Sequence, residues 1–327
     1  MSKIRAVVIG AGAFGRNHVR IIRQLPGVEL CGVVDVDFAK AQALAEQYAL
    51  PAYVSVDNIV GGFDAAVIAT PTSTHEEITT RLLTAGVDVF VEKPVASTSA
   101  SGFRLARIAE EQARIFQVGH LERFNPAVTA LERMITIPLF FEVHRLSVFT
   151  PRSLDIDVVL DLMIHDLDIV LHLTRQKPEE IRAAGISVLS GKVDIANVRL
   201  SFATGCVANL TASRVSTERI RKLRVFQPGE YISLDYQRQD AVRLAVHKNE
   251  QMSLPEIGFE SLALQHGEPL QIELVAFFEC VRTRSKPRVD GFQASEALAL
   301  AEAIAVKIKE HTQIVAETVK HGRSSGV

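Results

Sequence analysis

The fold of this chain can be derived from IRAVVIGAGAFG, residues 4–15. Its first half, Ile4–Ile9, is a short apolar run, which is typical of a strand buried on both faces. The glycine-rich half leads into a helical pattern, Arg16–Gln24. A GxGxxG sequence between a strand and a helix predicts a turn that holds the pyrophosphate of a dinucleotide, because the helix N-terminus offers unpaired N–H groups. A glycine-rich turn without a ligand is the alternative.

Each glycine of this turn has its own part in that interpretation. Gly10 permits the tight turn, Gly12 lets the backbone approach the pyrophosphate, and Gly15 allows close packing of the helix on the strand. Ala13 and Phe14 lie between these glycines and complete the predicted cofactor-binding turn.

Asp35 indicates which dinucleotide binds. It ends the second predicted strand, 20 residues after Gly15, and no arginine adjoins it. A carboxylate in this place accepts hydrogen bonds from the ribose hydroxyls and repels a 2′-phosphate. The sequence therefore favours NAD over NADP, with an ordinary strand-end aspartate as the alternative.

Residues 1–121 alternate short apolar runs with amphipathic segments. The predicted strands are Ile4–Ile9, Val28–Val34, Ala65–Ala69, Val87–Val91 and Ile115–Val118. The predicted helices are Arg16–Gln24, Ala39–Gln47, Glu76–Thr84 and Gly102–Gln112. Apolar strands separated by helices indicate a parallel sheet covered on both faces, and right-handed crossovers make this α/β domain a doubly wound Rossmann fold.

The pattern changes after Asn125-Pro126, where strand-like runs follow one another. These runs are Leu139–Phe149, Ile181–Leu189, Ala196–Phe202, Cys206–Ser213, Lys222–Phe226, Tyr231–Tyr236 and Val242–Val246. Two helices follow, about Leu270–Arg284 and Ser295–Lys309. Residues 122–320 are thus predicted to be an α+β domain with a large, mostly antiparallel sheet. One open face of that sheet is expected to join copies into a homodimer or homotetramer, and residues 321–327 are expected to be a flexible tail.

The composition argues against several classes of protein. With 36 basic and 38 acidic residues the net charge is −2, so nucleic acid and membrane surfaces are not expected as partners. No apolar run reaches the roughly 18 residues of a transmembrane helix, and the N-terminal run is too short for a signal peptide. Cys31, Cys206 and Cys280 are far apart and odd in number, which is typical of reduced thiols in a cytoplasmic protein.

Two more predicted strands end in polar residues that are candidates for the cofactor site. The strand that reaches position 69 is followed by Thr70 and Pro71, with His75 just beyond, and the next strand ends at Glu92-Lys93. Ligands of open α/β sheets bind beyond the carboxyl ends of the strands, so all five residues should border the cofactor. A lysine there is suited to stabilise developing negative charge on a reacting oxygen. Taken singly, each is also an ordinary surface or turn residue.

A polar stripe crosses an otherwise apolar helical segment. At about 100° per residue, Asp157, Asp161, His165, Asp168 and His172 share one sector, and the rest of the helix is predicted to be buried. Asp161 and His165 are i,i+4 neighbours, so the carboxylate can orient an imidazole that removes a hydroxyl proton. A metal site on Asp161, His165 and His172 and a purely structural polar seam are the alternatives.

With GxGxxG, Glu92-Lys93-Pro94 and Asp161-x-x-x-His165-Asp166 in this order, the chain resembles the Gfo/Idh/MocA oxidoreductases over nearly its whole length. The resemblance implies NAD as the cofactor and places Lys93 beside the nicotinamide and the reacting hydroxyl. It also implies that Asp161 and His165 are catalytic, with His165 as the base.

Three further stretches resemble a subgroup that oxidises the 3-hydroxyl of UDP-N-acetylglucosamine. They are residues 118–126, VGHLERFNP, Pro151-Arg152, and residues 209–214, NLTASR. The resemblance implies a UDP-sugar substrate held by Glu122, Arg123, Asn125, Arg152 and Arg214, in addition to Lys93, Asp161 and His165. Arginines in this set are suited to a diphosphate.

The resemblance also implies a partner, a PLP-dependent aminotransferase that converts the 3-keto sugar into an amine for lipid A-type sugars. Two alternatives remain at this point. One is a dehydrogenase of another sugar nucleotide, such as a UDP-glucuronic acid derivative, or of a free sugar. The other is a regulatory protein that binds NAD without turnover, and its mark would be NAD binding with no NADH formed from any alcohol.

Overall fold

The structure, a computed structural model, describes residues 3–59, 61–150, 156–247 and 256–324. The chain forms two compact units. Unit 1 comprises Met1–Phe124 and Gly267–Ala299, and unit 2 comprises Asn125–His266 and Leu300–Val327. Among the described residues, no helix is long and apolar enough to span a membrane.

Unit 1 contains a six-stranded sheet in which every pair of neighbours is parallel. Its order is β3-β2-β1-β4-β5-β6, the order of a dinucleotide-binding Rossmann sheet. The strands are β1 (Ile4–Ile9), β2 (Val28–Val34), β3 (Ala52–Tyr53), β4 (Ala65–Ile68), β5 (Asp88–Glu92) and β6 (Phe116–Gly119). The central strands are buried because helices cover both faces, so the predicted doubly wound domain is confirmed.

Several α-helices of the described part of unit 1 accompany this sheet. They are α1 (Ala13–Ile22), α2 (Phe38–Glu46), α3 (His75–Thr84), α4 (Ser99–Glu111) and α7 (Pro269–Thr283). Side-chain caps fix two of their starts, because Asp37 accepts a hydrogen bond from the Lys40 N–H and Thr98 from the Ser101 N–H.

The assignment of α7 differs from the sequence-based expectation, which placed residues 122–320 in one domain. Leu274, Phe277 and Phe278 of α7 are at most 2% exposed and belong to the same apolar core as β1 and α1. The Phe277 ring stands edge-on to Phe90 of β5 at 5.8 Å. The apolar face of α7 therefore completes the Rossmann core, although a long stretch of chain separates the two in sequence.

Unit 2 is built on an eight-stranded sheet of order β14-β13-β12-β11-β7-β10-β9-β8. Its strands are β7 (Phe140–Leu146), β8 (Glu180–Ile186), β9 (Ile195–Ser201), β10 (Val207–Ser213), β11 (Ile220–Gln227), β12 (Glu230–Asp235), β13 (Asp240–His247) and β14 (Glu256–Ser261). Among the strands that the structure describes in this sheet, only β7 and β10 pair in parallel, so the predicted mostly antiparallel sheet is confirmed.

The two faces of this sheet differ, and the register shows how. Val198, Leu210, Val143, Leu223 and Leu234 lie side by side across five strands, and each is at most 1% exposed. They form the core of unit 2 together with residues of its helices. The opposite face carries a second cross-strand row of apolar residues, which we call the open stripe: Val207, Phe140, Phe226, Tyr231, Leu244 and Phe259.

The helices of unit 2 begin with α5 (Pro126–Met134), which Asn125 caps. A π-helical turn, Val159–Met163, precedes α6 (Ile164–Thr174). The last helix, α8 (Gly291–Ser324), begins in unit 1 and continues in unit 2. The predicted flexible tail, 321–327, is helical as far as Ser324, because α8 is longer than the sequence pattern indicated, and residues 325–327 lie outside the described residues.

Candidate functional site

In unit 1 the candidate cofactor site lies at the edge of the sheet where the parallel strands end. Ile9 of β1 pairs with Val34 of β2 and with Ile68 of β4, and Ile68 pairs with Val91 of β5. The residues that follow these four strands therefore emerge side by side. We call this the carboxyl edge.

The three glycines of the turn at the carboxyl edge meet different surroundings. Gly10 has a φ of +103°, and a Cβ there would lie 2.5 Å from the Ala69 carbonyl oxygen. A Cβ on Gly15 would lie 1.8 Å from the Gly10 carbonyl oxygen, whereas one on Gly12 would meet nothing within 4 Å. The fold itself thus requires Gly10 and Gly15, and Gly12 leaves room for a ligand.

The start of α1 has the features of an anion site. Its N-cap is Gly12, which provides no side-chain hydrogen bond, and its first turn contains no acidic residue. Ala13 and Phe14 are exposed, Phe14 by 60%. The first N–H groups and the positive end of the helix dipole are therefore open to a phosphate, as the residues of a dinucleotide cradle must be.

Asp35, which follows β2, is held beside this turn. One carboxylate oxygen accepts from the Ala11 N–H at 2.7 Å and the other from the Asp37 N–H at 2.9 Å. Each carboxylate oxygen has a second lone pair, so the group is still able to accept hydrogen bonds from ribose hydroxyls. These contacts fit NAD, as the sequence predicted.

His75, also predicted to border the cofactor, is only 1% exposed. Its ring nitrogens lie 3.0 Å from the Thr70 carbonyl oxygen and 2.9 Å from that of Pro94. Burial lowers the pKa of His75, although these carbonyls and the charge of Glu92 oppose that effect. The imidazole thus lies between two neighbouring turns at the carboxyl edge, and in its neutral form it donates to one of the two carbonyls. Thr70 is half-buried there and Pro71 is exposed.

Glu92 ends β5, and half-buried Lys93 follows it. The Glu92 carboxylate lies 2.7 Å from Nε2 of His18, a fully buried residue of α1. Our sequence reasoning did not single out His18. The available signal was a histidine on the buried side of α1, next to Val19, Ile21 and Ile22.

In unit 2 the residues of the predicted polar stripe lie in different elements and differ in burial. Asp157 precedes the π-helical turn and accepts from the N–H groups of Val159 and Leu160. Asp161, within that turn, and His165, in the first turn of α6, are both half-buried.

The remaining members of the stripe lie elsewhere. Asp168 is buried, and Nε2 of His172 lies 3.0 Å from Glu132. His172 therefore pairs with a carboxylate of α5 that is not part of the predicted stripe. Among the side chains that the structure describes, no three His, Cys, Asp or Glu residues are grouped to hold a metal ion.

A buried ion pair holds the start of α6 against the sheet. Arg145 of β7 donates to both carboxylate oxygens of Asp166 at 2.6 and 2.8 Å, and both side chains are 2% exposed. The Arg145 guanidinium also lies 5.0 Å from the centre of the Tyr236 ring. A two-pronged bond of this kind fixes direction as well as distance, so it orients the helix turn that carries His165.

Several residues predicted to contact the substrate have structural partners. Asn125 caps α5 and donates to the Tyr236 carbonyl at 2.9 Å, and Arg214 donates to the carbonyls of Ile156 and Val193. Both are at most 5% exposed. Their contact with a substrate stays a prediction.

For Glu122 and Arg123 of unit 1, contact with a substrate also stays a prediction. Glu122 is 6% and Arg123 1% exposed. The Arg123 guanidinium donates to the Arg288 carbonyl at 3.4 Å, and Nε of Arg288 donates to the Arg123 carbonyl at 2.9 Å. Arg152 lies outside the described residues.

Two family profiles match the chain, one after the other. Residues 4–120 match an oxidoreductase family with an NAD-binding Rossmann fold. Residues 141–227 match the GFO/IDH/MocA C-terminal domain. The first match covers the whole carboxyl edge of unit 1, so NAD is the cofactor that both the geometry and the family support.

Some named relatives match over most of the chain. The UDP-N-acetylglucosamine 3-dehydrogenase of Acidithiobacillus ferrooxidans is 33% identical over 96% of this chain and 100% of its own. A solved structure of that enzyme, GnnA, superposes with a TM-score of 0.88 at 32% identity, covering 95% of this chain and 99% of that one. The scyllo-inositol 2-dehydrogenase (NAD(+)) of Bacillus subtilis is 26% identical over 90% of both chains.

Proposed function

Because this chain belongs to the Gfo/Idh/MocA oxidoreductase family, we propose that it oxidises the 3-hydroxyl of a UDP-sugar, UDP-N-acetylglucosamine, to a ketone. The observation that carries the proposal is the 33% identity to a UDP-N-acetylglucosamine 3-dehydrogenase over 96% of this chain. In this proposal Lys93 is the hydrogen-bond donor, Asp161 the orienting carboxylate and His165 the base, residue types suited to such chemistry.

In the proposed reaction His165 accepts the proton of the 3-hydroxyl. Lys93 donates a hydrogen bond to the same oxygen and stabilises the negative charge that develops there. Asp161 orients His165 or the sugar. Bound NAD⁺ supplies the acceptor for the hydride that leaves C3, so one alcohol and one NAD⁺ give one ketone, one NADH and one proton.

The local structure around His165 and Lys93 supports these assignments. His165 is half-buried in a helix turn whose next residue, Asp166, is clamped by Arg145. Lys93 follows a strand at the carboxyl edge, between the hydrogen-bonded Glu92 and Pro94. Both side chains therefore extend from fixed backbone, as catalytic groups must.

The test is to follow NADH absorbance with UDP-N-acetylglucosamine and to compare His165→Ala with His172→Ala, a control on the same helix. We expect kcat to fall by about 10²–10⁴-fold for His165→Ala, the usual contribution of a general base, with NAD affinity unchanged. The control should keep its activity. A His165→Ala rate within about threefold of wild type, a barrier change of only ~0.7 kcal/mol, would remove His165 from this role.

A second candidate substrate is a free polyol, because an inositol dehydrogenase also matches over 90% of this chain. The same assay with scyllo-inositol, free sugars and UDP-sugars distinguishes the two. Turnover of inositol but of no UDP-sugar would replace the proposed substrate and leave the dehydrogenase assignment intact. NAD binding without NADH formation from any alcohol would instead support a regulatory protein.

The product defines a partner reaction. We propose that a PLP-dependent aminotransferase converts the 3-keto sugar into an amino sugar of the lipid A type, since a ketone is the substrate that transamination requires. We also propose a cytoplasmic location, because the free cysteines Cys31, Cys206 and Cys280 suit a reducing compartment.

We further propose that the open stripe of unit 2 joins copies of the chain into a homodimer or homotetramer. Its members are apolar, and Phe226 and Phe259 are 38% and 68% exposed. An apolar row across six strands is larger than the scattered apolar residues of an ordinary surface.

A further inference from the structure

A buried imidazole on α1 holds the carboxylate that precedes Lys93. His18 is 0% exposed, and its Nε2 lies 2.7 Å from Oε1 of Glu92, whose side chain is 13% exposed. This bond joins two parts of unit 1 that the proposed function uses. One is the helix that begins at the glycine turn, and the other is the end of β5, from which the lysine extends.

The second carboxylate oxygen is fixed as well. Oε2 of Glu92 accepts from the backbone N–H of Lys93 at 3.3 Å. Gly119, at the end of β6, leaves the space for it, because a Cβ there would lie 3.0 Å from Oε2 and 3.3 Å from the Glu92 Cα. The Glu92 side chain therefore has little freedom to turn, and its bond to the next residue transmits that restriction to the lysine backbone.

The opposite side of the same turn is held by His75, whose ring lies 2.9 Å from the Pro94 carbonyl oxygen. Lys93 thus lies between two residues that buried imidazoles hold, Glu92 by His18 and Pro94 by His75. Each imidazole comes from a different helix, α1 and α3.

We propose that His18 is a positioning residue for Lys93. Acting through Glu92, it sets where the lysine backbone stands relative to the glycine turn, and so where the ammonium meets the reacting oxygen. This inference rests on the proposed function for its effect on turnover, but the restraint on Lys93 is a property of unit 1 itself.

The tautomer of His18 follows from its surroundings. Nδ1 is buried and has no hydrogen-bond partner among the described residues. A proton there would leave a buried N–H without an acceptor, which is costly, so the tautomer with its proton on Nε2 fits best. That N–H donates to Glu92. The essential feature is thus one N–H donor, which a glutamine amide also supplies.

The first experiment needs no substrate. The enzyme is treated with an amine-acylating reagent, and the acylation of Lys93 is measured by mass spectrometry relative to exposed Lys40 and Lys307. We expect His18→Leu to raise the relative rate at Lys93 by at least about threefold, a barrier change of ~0.7 kcal/mol. Val19→Ala, which removes packing from the neighbouring, equally buried residue, should leave the ratio at the wild-type value.

The second experiment measures turnover. In His18→Leu we expect kcat to fall on the order of 10- to 100-fold with NAD affinity unchanged, because a shift of about 1 Å in a catalytic group has an effect of this size. His18→Gln should recover most of the lost kcat. If His18→Leu does not fold, His18→Gln is compared directly with the wild type.

Equal changes in Lys93 reactivity for His18→Leu and Val19→Ala would overturn the proposal, since packing alone would then account for them. So would a His18→Gln enzyme as slow as His18→Leu. If wild-type enzyme oxidises no UDP-sugar, the proposed function fails, and the acylation ratios still decide the role of His18.

Discussion

Gly12 and Gly15 lie three positions apart, yet a methyl group on each would act differently. On Gly15 it would lie 1.8 Å from the Gly10 carbonyl, and on Gly12 it would meet no protein atom within 4 Å. We expect Gly15→Ala to lower the free energy of unfolding by about 1–3 kcal/mol, as overpacking does. Gly12→Ala should leave the melting temperature unchanged but weaken NAD binding at least about tenfold, because the methyl occupies the pyrophosphate approach.

Calorimetry with NAD and thermal unfolding measure the two effects separately. Gly191→Ala is the control, since a Cβ there also meets nothing within 4 Å and the residue lies in unit 2. The assignment is contradicted if Gly12→Ala binds NAD as wild type does, or if it destabilises the fold as much as Gly15→Ala.

For single residues, the sequence predicted position in the fold better than burial. The glycine turn and Asp35 were correctly placed at one edge because residue type and spacing determine a strand–turn–helix unit. The buried state of His75 was not predictable, because it depends on Pro94, 19 residues away. The Arg145–Asp166 pair was missed for a similar reason: the register of β7 against α6 cannot be read from either segment alone.

At the scale of elements, Asp194 closes the hairpin between β8 and β9. It accepts from the N–H groups of Val188, Leu189 and Ser190 and from the Ser190 hydroxyl. Burial alone would raise the pKa of Asp194, but these hydrogen bonds outweigh it and lower the pKa to about 2. The folded-state value lies below the unfolded one, about 3.9, so the carboxylate stabilises the fold above about pH 4 and this contribution is lost as the pH falls towards 2.

We therefore expect Asp194→Asn to lower the free energy of unfolding by about 2 kcal/mol at pH 7 and by clearly less near pH 3. Urea unfolding of wild type and variant at both pH values measures the difference. Asp240→Asn, at an exposed position in β13, should have little effect at either pH. A deficit of the same size at both pH values would show that the charge of Asp194 is not the cause.

The sequence predicted which segments are helices and strands better than it predicted where a helix begins or where its geometry changes. Asn125-Pro126 was read as a change of pattern, but the two residues are the N-cap and first residue of α5, where proline is favoured because its missing N–H is not needed. The polar stripe was predicted on one regular helix. The π-helical turn at Val159–Met163 changes the residue spacing before His165, and apolar periodicity gives no sign of such a turn.

For the whole molecule, the sequence predicted two domains that are each one continuous stretch of chain, whereas each observed unit consists of two separate stretches. Helix α7 belongs to unit 1, although residues 125–266 of unit 2 precede it in sequence, because Leu274 and Phe277 lie in the core of unit 1. An amphipathic helix shows that one face is buried but not which sheet it covers. Long-range assignment of this kind therefore needs the tertiary structure.

The open stripe allows assembly to be tested by a single substitution. Two identical chains that meet through one sheet face form an isologous contact, so each substitution acts twice. Phe226 lies in the middle of the stripe, 5.8 Å from the Phe140 ring and 4.9 Å from the Tyr231 ring. A carboxylate there would be buried in the proposed interface of each copy, and we expect Phe226→Asp to dissociate the oligomer. The measurement is size-exclusion chromatography with light scattering at micromolar concentration.

The matched control is Ile314→Asp, which places the same charge on an exposed apolar residue of α8, outside the stripe. It should elute as the wild type does. Stable interfaces bury about 1,200–2,000 Å², which a row of six apolar residues with its polar neighbours can supply, so the wild-type oligomer should persist on dilution. A wild type that is monomeric, or a Phe226→Asp variant as large as wild type, would contradict assembly through this face.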